Sequence, residues 1–281
     1  MKAKKSLGQH FLKSQVALSA IIDAGDIRAD DIVLEIGPGE GILTERLLQL
    51  AEKVIAIEKD FRLIPVLKEK FSKEIKSGKL DLIEKDILKF DVSKMPFDIR
   101  KYKMVSNIPY YITGQVLRMF LGSNSQPESM TLLVQKEVAE RVVAKDGKES
   151  LLSLSVKVFG RPKIMRIVGR GAFSPQPKVD SAILHIENIS RRNLDNVDEK
   201  FFFKVLHSGF AHKRKQLLSN LLNLQNTPII KDLLTLRVSK LGKEECVRAF
   251  LECEIDLKAR AEDISLEKWL KLCKSLLIGI K

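Results

Sequence analysis

The stretch 32-IVLEIGPGEGILTERLLQLAE-52 decides the fold. It begins with a short apolar run, passes through Gly37, Gly39 and Gly41, and continues into a segment whose apolar residues recur at helical spacing. A strand, a tight glycine turn and a helix in this order are typical of the first unit of a doubly wound α/β sheet. The stretch therefore predicts such a sheet, with a ligand site at the glycine turn.

The alternation of strand and helix continues along the first two thirds of the chain. Ser14 is a candidate N-cap for a helix that precedes the first strand. After the glycine turn, apolar runs predict further strands at residues 53–58, 80–86, 102–108, 130–137, 153–160 and 179–187. The last two are expected to form an antiparallel hairpin, joined by a basic loop, at the edge of the sheet. The sequence thus predicts a Rossmann-like α/β fold with a mostly parallel, seven-stranded sheet.

The composition changes after Glu187. Residues 188–200, NISRRNLDNVDEK, contain few apolar side chains and suit a linker. Beyond them, helical spacing of apolar residues predicts helices within the segments 202–210, 215–222, 230–236, 244–252 and 266–277. We therefore expect an α/β domain at residues 1–188 and a small all-helical domain at residues 189–281.

The chain is strongly basic, with 49 Lys and Arg against 36 Asp and Glu among its 281 residues and a net charge of +13. Residues 157–179 and 201–231 contain no acidic side chain, which favours a nucleic-acid partner over scattered solubilising charge. The candidate phosphate contacts in these two segments are Arg161, Lys163, Arg170, Lys178, Lys213, Arg214 and Lys215.

The cysteines, Cys246, Cys253 and Cys273, form no CxxC pair and have no histidine at metal-ligand spacing. This pattern predicts a reducing compartment and no zinc. The sequence also has no signal-like apolar segment and no run of membrane-spanning length. We therefore expect a cytoplasmic protein without a membrane partner.

The glycine turn and the acids around it favour one class of nucleoside cofactor. Glu58 ends the second strand roughly 20 residues after Gly37, the spacing at which a carboxylate meets a ribose diol. Glu35 and Glu40 flank the turn and would repel a pyrophosphate, whereas they suit a sulfonium and a zwitterionic amino-acid tail. The pattern therefore favours S-adenosylmethionine over NAD. Asp86, at the end of the third strand, could accept the cofactor's adenine amino group or simply cap a helix.

The tetrapeptide Asn107-Ile108-Pro109-Tyr110, at the end of the fourth strand, is the most specific signal in the chain. An exocyclic amino group needs two acceptors, and the Asn107 side-chain oxygen and the Ile108 carbonyl can supply them, with Pro109 fixing the turn. The ring of Tyr110 offers a face on which an extruded adenine can stack. Such positioning activates a poorly nucleophilic amine without a metal or a covalent intermediate. The motif predicts methyl transfer to adenine N6. The alternative interpretation is purely structural: a strand end followed by a proline turn.

Phe173, in the loop GAFSPQPKVDS, is a candidate for a second ring that clamps the other face of the base. The alternative is that Phe173 anchors its own loop in the core. The sequence leaves both possibilities open.

Taken together, the motifs resemble one family. Their order is Gln9-His10-Phe11-Leu12, EIGPGEG, Glu58, Asp86, NIPY, FSPQPKVDSA and FAHKRKQLLSNLL, and they extend from about Leu7 to Leu221. In this order they are similar to the ribosomal RNA adenine dimethyltransferases that modify adjacent adenines near the 3′ end of small-subunit RNA.

The resemblance implies a class I methyltransferase fold, S-adenosylmethionine as cofactor, N6,N6-dimethyladenosine as product and the small-subunit rRNA of a 30S precursor as partner. It implies cofactor contacts at His10, Leu12, Gly37, Glu58, Asp86 and Asn107, with Gln9 and Gly39 close by. It implies target-adenine contacts at Asn107, Tyr110 and Phe173. Many relatives carry Asn at the position of His10, and a neutral imidazole can likewise donate and accept. We further expect a monomer that binds no metal.

Two other functions stay open. The sister family that dimethylates an adenine of large-subunit rRNA also has an NIPY-like motif, although FSPQPKVDSA and FAHKRKQLLSNLL are more similar to the small-subunit enzymes. A non-catalytic RNA-binding assembly factor could use the same scaffold but would not need Asn107 and Tyr110. DNA adenine methylation is disfavoured because those enzymes usually carry a second proline, or an Asp, in the tetrapeptide.

Overall fold

The computed structural model describes residues 8–92, 102–222 and 242–278. The chain divides into two compact units. The α/β unit comprises Met1–Val143 and Gly160–Ser190, and the helical unit comprises Ala144–Phe159 and Arg191–Lys281. Within the described ranges, no helix is long and apolar enough to cross a membrane.

The α/β unit is built on a seven-stranded sheet with the strand order β4-β3-β2-β5-β6-β9-β7. Strands β2 to β6 pair in parallel, and β9 pairs antiparallel with both β6 and β7. The strands are β2 (Ile32–Ile36), β3 (Lys53–Glu58), β4 (Leu80–Glu84), β5 (Lys103–Ser106), β6 (Ser129–Gln135), β7 (Arg161–Val168) and β9 (Ser181–Glu187). A separate antiparallel pair joins β1 (Phe11–Leu12) to β8 (Phe173–Ser174). The predicted fold class is confirmed.

The central strands are apolar because helices cover the sheet on both faces. Val33 and Leu34, neighbours on β2, are both fully buried although their side chains point to opposite faces. The helices of this unit are α1 (Gln15–Gly25), α2 (Ile42–Leu50), α3 (Ile64–Lys70), α4 (Ser72–Lys76), α5 (Thr113–Leu121) and α6 (Lys136–Val143). Ser14 caps α1 as predicted, since its side chain accepts a hydrogen bond from the Ala17 N–H.

Gly41 closes the glycine turn and begins α2 with a φ of +77°. A Cβ atom at this position would lie only 2.6 Å from the Phe71 ring. Both the left-handed backbone and the close approach of that ring require glycine here. The turn is thereby held against the helices that follow β3.

The predicted strand at residues 153–160 is wrong. Residues Leu151–Lys157 form helix α7, and the strand that pairs with β9 is Arg161–Val168, inside the segment expected to be a basic loop. The alternating pattern of SLSVKV is typical of a strand, but Ser150 and Ser153 form a reciprocal capping box that starts a helix. β7 was missed because it is an edge strand whose basic and apolar side chains are largely exposed.

The helical unit contains α7 (Leu151–Lys157), α8 (Glu199–Gly209), α9 (Leu217–Leu222), α10 (Lys243–Glu252) and α11 (Leu266–Ile278), and no strand occurs in its described part. Its core includes Trp269, which is fully buried and stacks on Phe210 with ring centroids 5.8 Å apart. A Cβ atom at Gly209 would lie 2.3 Å from the Trp269 ring, so close packing requires glycine there. The helix expected at residues 230–236 lies outside the described residues.

The division into units differs from two contiguous domains. The chain leaves the α/β unit after Val143, contributes residues 144–159 to the helical unit and returns at Gly160. Its second departure, after Ser190, lies close to the predicted boundary at residue 188. The sequence does not predict the first of these departures, because the alternating pattern of residues 153–160 is typical of a strand.

Candidate active site

The carboxyl ends of β2, β3 and β5 meet at one edge of the sheet and line a cleft of about 1050 Å³, counting its part open to solvent. All the predicted cofactor residues and the whole NIPY tetrapeptide line this cleft. It lies where open α/β sheets bind ligands. The structure therefore brings the predicted cofactor residues together with Asn107 and Tyr110, but not with Phe173.

The glycine turn presents backbone to the cleft. Gly37 and Gly39 have φ values of +69° and +61°. A Cβ atom at Gly37 would meet nothing nearer than the Pro109 Cδ at 4.0 Å, so this face of the turn is open to a ligand. At Gly39, a Cβ atom would lie 3.2 Å from the Phe11 ring, which covers the turn. The turn thus forms a cradle that allows close backbone approach.

Glu58 is fixed at the end of β3 with its carboxylate in the cleft. Its Oε1 accepts from the Asp60 N–H at 2.8 Å, and its Oε2 accepts from the Gly39 N–H at 3.1 Å. Burial raises the pKa of Glu58, and the backbone hydrogen bonds oppose that rise. Each carboxylate oxygen has a second lone pair, so Glu58 can also accept from a ribose diol.

Glu35, at the other side of the turn, is almost completely buried and accepts a hydrogen bond from the Thr44 hydroxyl at 2.7 Å. Burial raises its pKa to about 8, so Glu35 is mainly protonated at neutral pH. Glu40 forms an ion pair with Lys13. The expected repulsion of a pyrophosphate by Glu35 and Glu40 is therefore weaker than the sequence suggested, and Glu58 is the principal acid of the turn.

Asp86 is a cap, and it also lies in the cleft where a contact with the cofactor's adenine would be made. Its Oδ1 accepts from the Leu88 N–H and caps a short 3₁₀ turn, and the residue also lines the cleft. Its Oδ2 forms an ion pair with Lys59 at 2.8 Å. Burial acts to raise the pKa of Asp86, but the hydrogen bonds from Lys59 and Leu88 and the positive charges of Lys59 and Lys89 together lower it.

Residues 8–14, which we call the N-terminal strap, form one wall of the cleft through residues 8–12. Phe11 and Leu12 of the strap pair with β8, which lies about 160 residues later in the sequence of the α/β unit. The Gln9 amide donates to Asp60 Oδ2 at 2.9 Å. Asp60 is itself held by Arg62 through two side-chain hydrogen bonds, which lower the pKa of Asp60 to about 2. The strap is thus fastened to the turn that follows Glu58.

Sequence analysis missed Asp60 as the anchor of the strap. The available signal was an acid two residues after Glu58, on the same strand end. That signal is weak because nothing local indicates that Gln9 is the partner of Asp60.

Asn107, the first residue of the tetrapeptide, lines the cleft together with the glycine turn. Its Nδ2 donates to the His10 carbonyl at 3.3 Å. A carbonyl oxygen only accepts hydrogen bonds, so this contact fixes the amide with Oδ1 on the opposite side of the group. The orientation suits an acceptor for an exocyclic amine.

Tyr110 is half-buried at the cleft. Its hydroxyl shares a 2.6 Å hydrogen bond with the Ser181 hydroxyl, and burial raises its pKa. The Tyr110 ring stacks on His10 with centroids 5.8 Å apart and planes inclined by 22°. Ser181 was missed as a site residue, although it belongs to the quoted segment FSPQPKVDSA. Tyr111, the next residue, is largely exposed.

Phe173 does not line the cleft. Its side chain is 5% exposed and belongs to the same core cluster as Leu12, on the strand that pairs with the strap. This packing is the one expected of a core anchor, and the base clamp stays a prediction.

The candidate phosphate contacts are all exposed, as such a role requires. Lys163 forms an ion pair with Glu187 at 2.7 Å, which partly neutralises its charge. In the described residues, no cluster of His, Cys, Asp or Glu could hold a metal ion. The cysteines are unpaired thiols buried in the helical unit.

The chain matches the family model for ribosomal RNA adenine dimethylase over residues 1–277. It is 43% identical over 273 residues to ribosomal RNA small subunit methyltransferase A from Dehalococcoides mccartyi, which covers 97% of this chain and 88% of the relative. The protein of the same name from Clostridium acetobutylicum is 36% identical over 271 residues, covering 95% of this chain and 91% of the relative.

Solved structures with the same fold include a dimethyladenosine transferase from Plasmodium falciparum, with a TM-score of 0.77 and 29% identity over 94% of this chain and 96% of that one. The 23S rRNA methyltransferase ErmE is similar with a TM-score of 0.73 and 25% identity over 95% of this chain and 99% of that one. The family expected from the motifs is confirmed: this chain belongs to the ribosomal RNA adenine dimethylase family.

Proposed function

We propose that this protein transfers methyl groups from S-adenosylmethionine to N6 of two adjacent adenines near the 3′ end of small-subunit rRNA, giving N6,N6-dimethyladenosine during ribosome assembly. The observation that carries the proposal is the orientation of Asn107 beside the Glu58 and glycine cradle. That arrangement offers an amine acceptor next to a nucleoside site.

The residues of the cradle fit the cofactor. Glu58 can accept from the ribose hydroxyls, and Asp86 can accept from the adenine amino group. The open face of Gly37 leaves room for the amino-acid tail. When bound, S-adenosylmethionine supplies a methyl group that its sulfonium has already activated.

The chain contributes positioning to the chemical step. The Asn107 Oδ1 and the Ile108 carbonyl accept the two hydrogens of the exocyclic amine, which draws the nitrogen lone pair out of conjugation with the ring. The lone pair is thereby directed at the methyl group that a bound S-adenosylmethionine would supply, and the amine proton released on transfer would pass to water in the open cleft. Tyr110 holds the extruded base by stacking. The monomethylated amine keeps a single hydrogen, so only one of the two acceptors would hold it during the second transfer, which gives the dimethyl product.

The basic surface supports an RNA partner. Arg161, Arg170 and Lys178 are exposed on the α/β unit, and Lys213, Arg214 and Lys215 are exposed on the helical unit. Together with the net charge of +13, they favour contact with phosphates through counterion release. We expect the protein to act as a monomer in the cytoplasm, without a metal, on a 30S precursor.

The sister activity on large-subunit rRNA is the main alternative, and the fold alone does not separate the two, because ErmE is structurally similar. The higher identity to relatives named for the small subunit favours the proposal.

To distinguish the two activities, the protein and S-adenosylmethionine are incubated with undermethylated small subunits and, separately, with protein-free large-subunit RNA. Nucleosides are then analysed by mass spectrometry. Dimethyladenosine in the small-subunit RNA alone supports the proposal, and product in the large-subunit RNA alone supports the sister activity. If an Asn107→Ala variant transferred methyl groups as fast as the wild type, the proposed base site would be wrong.

A further inference from the structure

His10 contacts three separate motifs. Its Nδ1 lies 2.7 Å from the Pro175 carbonyl, its ring stacks on Tyr110, and its own carbonyl accepts from Asn107. The resemblance assigns His10 only to the cofactor, yet two of these three contacts join it to the NIPY tetrapeptide.

The contact with Pro175 fixes the ring. A carbonyl oxygen can only accept, so Nδ1 must carry the hydrogen in this contact. The imidazole is then anchored at one edge by a hydrogen bond while its face lies against Tyr110. Rotation of the imidazole about its side-chain bonds would break one contact or the other.

Tyr110 is therefore held from two directions. Its hydroxyl is bonded to Ser181 and one face of its ring is covered by His10. A base lying between the two rings would need roughly 7 Å, twice the spacing of stacked bases. The observed centroid distance is 5.8 Å, so an incoming adenine would use the other face of Tyr110.

We infer that the ring of His10 is a positioning residue for the target base: by backing Tyr110, it fixes the aromatic face on which the adenine stacks. The inference rests on the proposed function and extends it. The strap thus serves both substrates, since its backbone and Gln9 form the cofactor wall while the His10 ring supports the base platform.

Three substitutions separate the ring from its hydrogen bond. His10→Phe keeps a ring and loses the bond to Pro175, His10→Asn keeps a donor and loses the ring, and His10→Ala loses both. Val16→Ala, at an exposed position at the start of α1, is the control. Each protein is assayed for kcat, KM for undermethylated small subunits and KM for S-adenosylmethionine, and its thermal unfolding is recorded.

Because an aromatic pair contributes modestly, His10→Ala and His10→Asn should lower kcat/KM for the subunit roughly 3- to 10-fold. The KM for S-adenosylmethionine should stay within about twofold of the wild type. His10→Phe should restore most of the activity, and unfolding temperatures should remain close to that of Val16→Ala.

Four results would overturn the inference. A selective rise in the KM for S-adenosylmethionine would assign the ring to the cofactor. Rescue by Asn rather than Phe would assign the effect to the strap anchor. Higher activity of His10→Ala would mean that the ring competes with the base, and unchanged activity in all three variants would remove any role. A wild type that makes no dimethyladenosine would instead refute the proposed function itself.

Discussion

Replacing Glu35 by Gln should make the folding stability of this protein less sensitive to pH. The Glu35 carboxyl is almost fully buried, and that burial raises its pKa to about 8. Folding therefore favours the protonated form of Glu35. The contribution of Glu35 to folding stability is fully present below pH 4.5, the pKa of the unfolded chain, and is lost progressively as the pH rises towards 8, the pKa of the folded one.

The size of the effect follows from the two pKa values. The pKa of Glu35 is 4.5 in the unfolded chain and about 8 in the folded one. Between pH 5 and pH 7, Glu35 therefore lowers the free energy of unfolding by roughly 2 to 3 kcal/mol. Asp60 does not titrate in this range because Arg62 holds its pKa near 2. Glu58, whose pKa is also raised, is present in both proteins; its charge adds to the rise at Glu35, so part of the expected difference comes from the repulsion between these two carboxyls.

The assay is thermal unfolding of wild type and Glu35→Gln, followed by circular dichroism from pH 5 to pH 8. The amide oxygen of Gln can still accept from Thr44, and any cost of burying the amide N–H is independent of pH. The melting temperature of the variant minus that of the wild type should therefore increase by roughly 5 to 10 °C between pH 5 and pH 7. If the difference in melting temperature between the two proteins stayed constant from pH 5 to pH 8, ionisation of the Glu35 carboxyl would not destabilise the fold.

Three other perturbations test the site and its support. Asn107→Ala should lower kcat by roughly 100-fold or more, because one acceptor of the amine is lost, with little change in unfolding temperature; steady-state methyl transfer measures the first effect and thermal unfolding the second. Tyr110→Ala should raise the KM for small subunits roughly tenfold, whereas Tyr110→Phe, which keeps the ring and loses only the bond to Ser181, should stay near the wild type. Gly41→Ala should cost more than about 1 kcal/mol in urea unfolding, since φ is +77° and the new Cβ would clash with Phe71.

Features governed by local chemistry could be predicted from the sequence. The strand at residues 53–58 and the cap at Ser14 follow from short-range patterns, and both are confirmed. Glu58 and Asn107 could be assigned to one cleft because the carboxyl ends of parallel strands meet at one sheet edge. The alternating pattern at residues 153–158 misled because capping and packing in the helical unit outweighed it.

Features that depend on distant partners could not be predicted. The bond between Tyr110 and Ser181 requires the placement of β9 beside β6, and the bond between Gln9 and Asp60 requires the path of the strap. Neither leaves a periodic trace in the sequence. Likewise, the high pKa of Glu35 arises from burial, which a motif does not reveal.

The pairing of the strap with β8 has a consequence for biosynthesis. Phe11 pairs with Ser174 and Leu12 pairs with Phe173, so the first wall of the cleft to leave the ribosome waits for a partner made much later. A nascent chain released before residue 173 would carry Gly37, Glu58 and Asn107 but would hold its amino terminus over them without the strand pairing. Completion of this wall of the cleft therefore follows translation of the FSP segment, and truncated translation products should bind the methyl donor more weakly than the full chain.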